Sequence, residues 1–70
     1  MNLEEIVNDK LWPILVDTVH AMVMYKVHKA YTRDVILIEN PEITPQELAS
    51  KLQIPLGEAI VILYELRKGL

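Results

Sequence analysis

The sequence predicts a small all-α protein, and three observations support this fold class. Glycine, which often interrupts regular elements, occurs only twice in 70 residues. Apolar side chains between Ile14 and Ala30 recur at three- and four-residue spacing, the period of one buried helical face. Thr44, Pro45 and Glu47 combine an N-cap, a helix-starting proline and a capping glutamate. We therefore expect helices joined by short turns.

Length and composition predict that the protein associates with another chain. Residues 1–70 make a single domain, and a domain this short leaves much of its surface in water. Yet 51% of the residues are apolar, although phenylalanine is absent. A subunit interface is the usual place for surplus apolar surface. We expect a homodimer or a protein partner.

Composition also excludes several classes of protein. Without cysteine, neither a disulfide framework nor a thiolate metal site can form, and no signal peptide is recognisable, so we expect a cytoplasmic protein. The apolar residues 11–38 are interrupted by charged side chains that are costly in a bilayer, so no membrane span is expected. The net charge of −3 argues against general nucleic-acid binding, which depends on Lys and Arg.

The N-terminal residues are predicted to form a short helix followed by a hinge. Asn2 and Glu5 fit a capping box, and the helix is expected to end near Lys10. Trp12 is the predicted hinge, because Pro13 fits the first turn of a new helix, where its missing N–H costs nothing. Residues 1–31 are therefore assigned to N-terminal helices.

A long amphipathic helix is predicted from residue 12 to about residue 31, and we expect the protein to dimerise through it. Its apolar face supplies four candidate interface residues: Trp12, Val16, Val19 and Val23. The other side carries a basic stripe of Lys26, Lys29 and Arg33, which is either a phosphate-binding surface or, more simply, a solvated face. Residues 35–38 also fit a strand, but we favour a helix that ends at Asn40, before Pro41.

Residues 32–70 are predicted to form a helix-turn-helix core. The helix that begins at Thr44 stops near Gln53, and after a turn through Ile54 and Pro55 the last helix runs from about residue 56 to residue 68. Gln53 stands where glycine is common, which is tolerable if this residue avoids positive φ. The predicted core positions of this unit are Leu48, Ala49, Leu52, Ile54, Ala59, Leu63 and Leu66.

The stretch from Asn40 to Leu70, with its capped helix, tight turn and final Leu-Arg-Lys-Gly-Leu, resembles the core of archaeal and bacterial winged-helix transcription regulators. The resemblance implies a small DNA-associated protein of transcriptional control or genome maintenance, whose last helix would enter the major groove of duplex DNA. Because the sequence stops at Leu70, we expect no wing. Candidate DNA contacts are Lys26, Lys29, Arg33, Lys51, Tyr64, Arg67 and Lys68.

The last helix departs from that family where its side chains would face bases. The five positions are Leu56, Gly57, Ile60, Val61 and Tyr64, and only the tyrosine carries a polar group. Either another helix or a second subunit covers this apolar surface, or it is an exposed docking site. The alternative function is therefore an interaction subunit that docks on a larger assembly, such as a polymerase or replication complex, through Leu56, Ile60, Val61 and Tyr64.

The sequence predicts no catalytic, cofactor or metal site. His20 and His28 are two helical turns apart, too far to ligate one metal ion together. Asp17 lies three residues before His20, so we expect a local hydrogen bond between them. No Ser, Cys or glycine-rich phosphate loop accompanies this pair, and the carboxylates are spread along the chain as solvating groups. We expect neither an enzyme nor a small-molecule substrate.

Overall fold

The computed structural model describes the backbone from residue 3 to residue 70 and the side chains from residue 5 onward. The capping box predicted at Asn2 lies outside the described residues. The helices are α1 (Leu3–Val7), α2 (Trp12–His20), α3 (Tyr25–Tyr31), a π-helical segment (Thr32–Ile36), α4 (Leu37–Glu39), α5 (Pro45–Leu52) and α6 (Leu56–Lys68). No strand occurs between residues 3 and 70, which confirms the predicted all-α class.

The single long helix predicted from residue 12 to about residue 31 is wrong. α2 ends at His20, residues 21–24 form a turn, and α3 begins at Tyr25. The turn allows one side of α2 and one side of α3 to pack against α6. In this arrangement Val19 and Tyr25 are buried, whereas Val23, which belongs to the same predicted apolar stripe as Val19, is 94% exposed. Packing on α6 therefore outweighs the helical periodicity that continues through the turn.

The helical path continues without a gap from α3 through the π-helical segment into α4. Thr32 and Ile36 are buried, and the Thr32 hydroxyl donates to the His28 carbonyl oxygen at 2.8 Å. Residues 35–38 are thus helical, as we favoured, and α4 ends at Glu39, after which Asn40 leaves the helical conformation with φ of −143° and ψ of 82°. The predicted boundary between residues 31 and 32 falls inside this continuous helical path.

The start of α5 confirms the predicted capping box. The Thr44 backbone N–H donates to Glu47 Oε1 at 3.0 Å, and the Glu47 N–H donates to Thr44 Oγ1 at 3.2 Å. Pro45 is the first helical residue, where no hydrogen bond needs its missing N–H. Local signals are sufficient to place this helix.

The end of α5 does not meet the condition that the sequence sets for Gln53. This residue adopts the left-handed conformation, with φ of 57°. The reason is the tight turn, which brings the Ile54 N–H to the Ala49 carbonyl oxygen at 3.0 Å. Gln53 also donates from its side-chain amide to the Ser50 carbonyl oxygen at 2.7 Å, which replaces one lost helical bond.

α6 is the centre of the fold, because α2, α3 and α5 all pack against it. The predicted core positions of the C-terminal half are confirmed: Leu48, Ile54, Ala59 and Leu63 are buried, and Ala49, Leu52 and Leu66 pack against them. Val19 and Tyr25, from the N-terminal half, lie in the same buried cluster. None of the helices among residues 3–70 is long and apolar enough to cross a membrane.

Candidate functional site

The surface of α6 that would face DNA bases is largely covered, and α2 packs against it. Ile60 is 5% exposed and Val61 is fully buried. A Cβ atom at Gly57 would lie 3.0 Å from Leu15 Cδ1, so the glycine permits close approach of α2. Further along, the Tyr64 and Trp12 rings meet edge to face at 5.1 Å. Of the two explanations left open by the sequence, coverage by another helix of the same chain is the one the structure shows.

The predicted interface residues are therefore mostly internal. Val19 is buried, and Trp12 and Val16 are partly buried against the core. Leu56 remains partly exposed at the start of α6, and only Val23 projects almost completely into solvent. The surface that the sequence offered for docking is for the most part the packing between α2 and α6.

A different apolar surface lies open, at the start of α3 and along it. It consists of Val23, Met24, Val27 and Tyr31, each about half exposed or more, and we call it the α3 apolar face. Met24, Val27 and Tyr31 are spaced three and four residues apart and so lie on one side of the helix. The sequence grouped these residues with the buried stripe, because periodicity alone does not tell a covered face from an open one.

The basic stripe is partly neutralised within the chain. Lys29 Nζ lies 3.3 Å from Glu65 Oε1 and donates to the Leu70 carbonyl oxygen at 3.1 Å. Arg33 donates to both carboxylate oxygens of Asp34, and this hydrogen bonding lowers the pKa of Asp34. Lys26 is exposed. Both members of the Arg33 pair are also largely exposed, so that ion pair is weak and exchangeable.

The remaining candidate DNA contacts have separate roles. Arg67 Nη2 donates to the carbonyl oxygens of Pro41, at 3.1 Å, and Ile43, at 2.7 Å, and so ties the loop after α4 to the end of α6. Lys68 Nζ lies 5.9 Å from the centre of the Tyr64 ring, and Lys51 is exposed on α5. The Arg67 guanidinium is thus occupied by a structural bond that the sequence did not indicate.

A partly buried polar cluster that the sequence missed joins α2 and α3 to α6. Glu65 accepts hydrogen bonds from the Tyr25 hydroxyl, from His20 Nε2 at 2.7 Å and from Lys29 Nζ. Burial alone would raise the pKa of Glu65, but these three hydrogen bonds hold it below its ordinary value. Burial and the bond to Glu65 raise the pKa of Tyr25.

A second buried carboxylate lies two helical turns earlier on α6. Glu58 Oε2 lies 2.6 Å from His28 Nδ1, and the Glu58 side chain has no exposed surface. Its other oxygen, Oε1, is buried without a hydrogen-bond partner among the described residues.

These two pairs correct two expectations from the sequence. His20 bonds Glu65 instead of Asp17, and Glu58 and Glu65 are internal groups instead of solvating ones. The signal in the sequence was the seven-residue spacing of the two glutamates, which puts both on one side of an otherwise apolar helix.

A groove of about 780 Å³ lies between α3, the π-helical segment and the C-terminal end of α6. Lys26, Lys29 and Arg33 all line it, so the structure brings the predicted basic stripe together there. The groove lies on a different side of α3 from the α3 apolar face. The groove therefore brings together three of the predicted DNA-contact residues.

No group of three or more His, Cys, Asp or Glu residues suited to a metal ion is present in the described part of the chain. Comparison of the chain with models of protein families, with curated proteins and with solved structures finds no match. The winged-helix resemblance therefore depends on the sequence pattern alone.

Proposed function

We propose that the protein is an interaction subunit that self-associates through the α3 apolar face. The observation that carries this proposal is the contrast in burial: Ile60 and Val61 are covered, whereas Met24, Val27 and Tyr31 stand open in a row. Apolar patches of this kind on a small domain are typical of association surfaces. In the same proposal, α5 and α6 are a helix-turn-helix scaffold whose second helix serves as a core element.

A second copy of the chain is the occupant that the composition of this face favours. The face carries Val23, Met24, Val27 and Tyr31 and no charged side chain, and two copies can pair on it about a twofold axis. The same apolar side chains then meet their own counterparts, which gives a self-complementary interface.

Docking on a larger assembly remains the related alternative. Because α2 covers α6, such a partner would also meet the α3 apolar face, and not Ile60 or Val61 as the sequence led us to expect. A heteromeric partner would occupy the surface that we assign to the second copy. Self-association of the isolated protein is therefore the observation that separates the two.

The DNA-associated function implied by the winged-helix resemblance is the competing candidate. Base reading by α6 would require Ile60 and Val61 to leave the core, which argues against it. Contact with phosphates alone needs only exposed cations such as Lys26, Lys51 and Lys68. Fluorescence anisotropy of labelled duplex DNA at two salt concentrations tests it: binding that weakens steeply with salt supports it, and no binding at low salt removes it.

Sedimentation equilibrium over a range of concentrations tests the interaction proposal. We expect the unmodified protein to self-associate and the Val27→Lys variant to be monomeric with a nearly unchanged melting temperature, because Val27 is already half exposed. The matched control is Ser50→Lys, which adds the same charge at an exposed position on α5 and should leave association intact. An unmodified protein that is monomeric at every concentration would contradict the proposal.

A further inference from the structure

We infer that the groove between α3, the π-helical segment and the end of α6 binds an acidic amphipathic helix of a partner protein. This goes beyond self-association, because it assigns a second surface with a different ligand. Its lining includes the apolar side chains of Ala30, Leu37 and Leu66 together with the cations Lys26, Lys29 and Arg33. A groove with both properties selects a ligand that carries apolar and acidic side chains together.

The carboxylate within the groove does not repel such a ligand. Glu65 is buried and already accepts hydrogen bonds from Tyr25, His20 and Lys29, so groups of the same chain compensate its negative charge. Among the described residues, Lys26 has no acidic partner, and Arg33 can exchange its exposed partner for a ligand carboxylate. The groove is thus locally basic on a chain whose net charge is −3.

The spacing of the cations matches a helical ligand. Lys26 and Arg33 are seven residues apart along the helical path, a rise of roughly 10 Å at 1.5 Å per residue. Two glutamates seven residues apart on a partner helix span the same distance, and apolar residues on the same face of that helix would meet the apolar lining of the groove. An amphipathic helix in a groove is a common mode of peptide recognition.

The apolar lining favours a peptide over nucleic acid. A phosphate backbone would use Lys26 and Arg33 but would leave Leu37 and Leu66 without a matching apolar group. An acidic amphipathic peptide pairs with both parts of the groove. Duplex DNA is therefore the probe whose tighter binding would overturn this assignment.

The test is the anisotropy of a fluorescein-labelled synthetic helical peptide with two glutamates seven residues apart and leucines between them. We expect the double variant Lys26→Glu, Arg33→Glu to bind at least about tenfold more weakly, which corresponds to about 1.4 kcal/mol. The double variant Lys51→Glu, Lys68→Glu makes the same change of net charge outside the groove and should bind within about twofold of the unmodified protein.

Three outcomes overturn the inference: no binding of the peptide, equal weakening in both double variants, or tighter binding of duplex DNA than of the peptide. A peptide with glutamine in place of both glutamates should bind as weakly as the groove variant. Val27→Lys should keep peptide binding, because it lies on the α3 apolar face. Loss of self-association in that variant with retention of peptide binding distinguishes this inference from the proposed function.

Discussion

α6 and α3 carry similar mixtures of apolar and charged side chains, but the fold treats them in opposite ways. α6 is surrounded by α2, α3 and α5, and it buries even Glu58 and Glu65. α3 packs on one side only, where it buries Tyr25, and it leaves Val27 and Tyr31 half exposed. The comparison shows that burial depends on how many neighbours a helix meets, which its own periodicity does not specify.

The largest expected effect is the loss of a central side chain. Leu63→Ala in α6 should lower the free energy of unfolding by about 2–5 kcal/mol, because it leaves a cavity in a fully buried site. Val27→Ala on α3 is the matched control and should change it by less than about 0.5 kcal/mol in dilute protein. Urea denaturation followed by circular dichroism measures both. Equal losses of unfolding free energy in the two variants would contradict the difference in burial between α6 and α3.

Next in size is the pair between His28 and Glu58. His28→Ala leaves both oxygens of the buried Glu58 carboxylate without a partner. We expect the free energy of unfolding to fall by about 1–3 kcal/mol, which is less than for a fully buried pair because His28 is partly exposed. The double variant His28→Leu, Glu58→Met should recover most of this stability, since an apolar pair needs no hydrogen bonds. A double variant less stable than His28→Ala would show that the pair itself is favourable.

The Glu65 cluster should make stability depend on pH. Because hydrogen bonds lower the pKa of Glu65 in the folded state, the stabilisation is present above its ordinary value of 4.5 and is lost as the pH falls below it towards the folded pKa. The melting temperature should therefore fall on acidification below pH 4.5. Glu65→Gln should be less stable at pH 7 and show a flatter acid limb. An unchanged acid limb in that variant would assign the loss to other carboxylates.

The smallest expected effect lies at the turn between α5 and α6. Gln53→Gly should raise the free energy of unfolding by up to about 1 kcal/mol, because glycine adopts the left-handed conformation without a Cβ penalty. The loss of the side-chain bond to Ser50 reduces the gain. Gln53→Ala is the control, since it loses the same bond and keeps the penalty. A glycine variant no more stable than the alanine variant would refute this account of the turn.

The features predicted well from sequence are those set by local chemistry. The capping box at Thr44, the helix end before Pro41 and the bounds of the last helix all depend on residues close together in the chain. The turn at residues 21–24 escaped prediction, because it contains no glycine or proline and the apolar period runs through it. The two residues that flank this turn, His20 and Tyr25, both bond to Glu65, which lies forty or more residues away in the sequence.

The candidate groove likewise has features that the sequence predicted and features that depend on tertiary packing. The cations Lys26, Lys29 and Arg33 were evident from helical spacing, and the structure does bring them to one groove. The acidic partner of Lys29 was not evident, because Glu65 reaches Lys29 only through the packing of α3 on α6. Sequence patterns identified the charged side chains, whereas tertiary packing determined which of them are neutralised.

The most direct test of the contrast between α6 and α3 is thiol labelling, which the absence of native cysteine makes clean. Two single-cysteine variants are compared, Val61→Cys on α6 and Val27→Cys on α3, under native conditions with Ellman's reagent. We predict that Val27→Cys reacts rapidly in dilute protein and more slowly as the protein concentration rises, whereas Val61→Cys reacts only on unfolding. Labelling of Val61→Cys as fast as Val27→Cys in the folded protein would contradict the account.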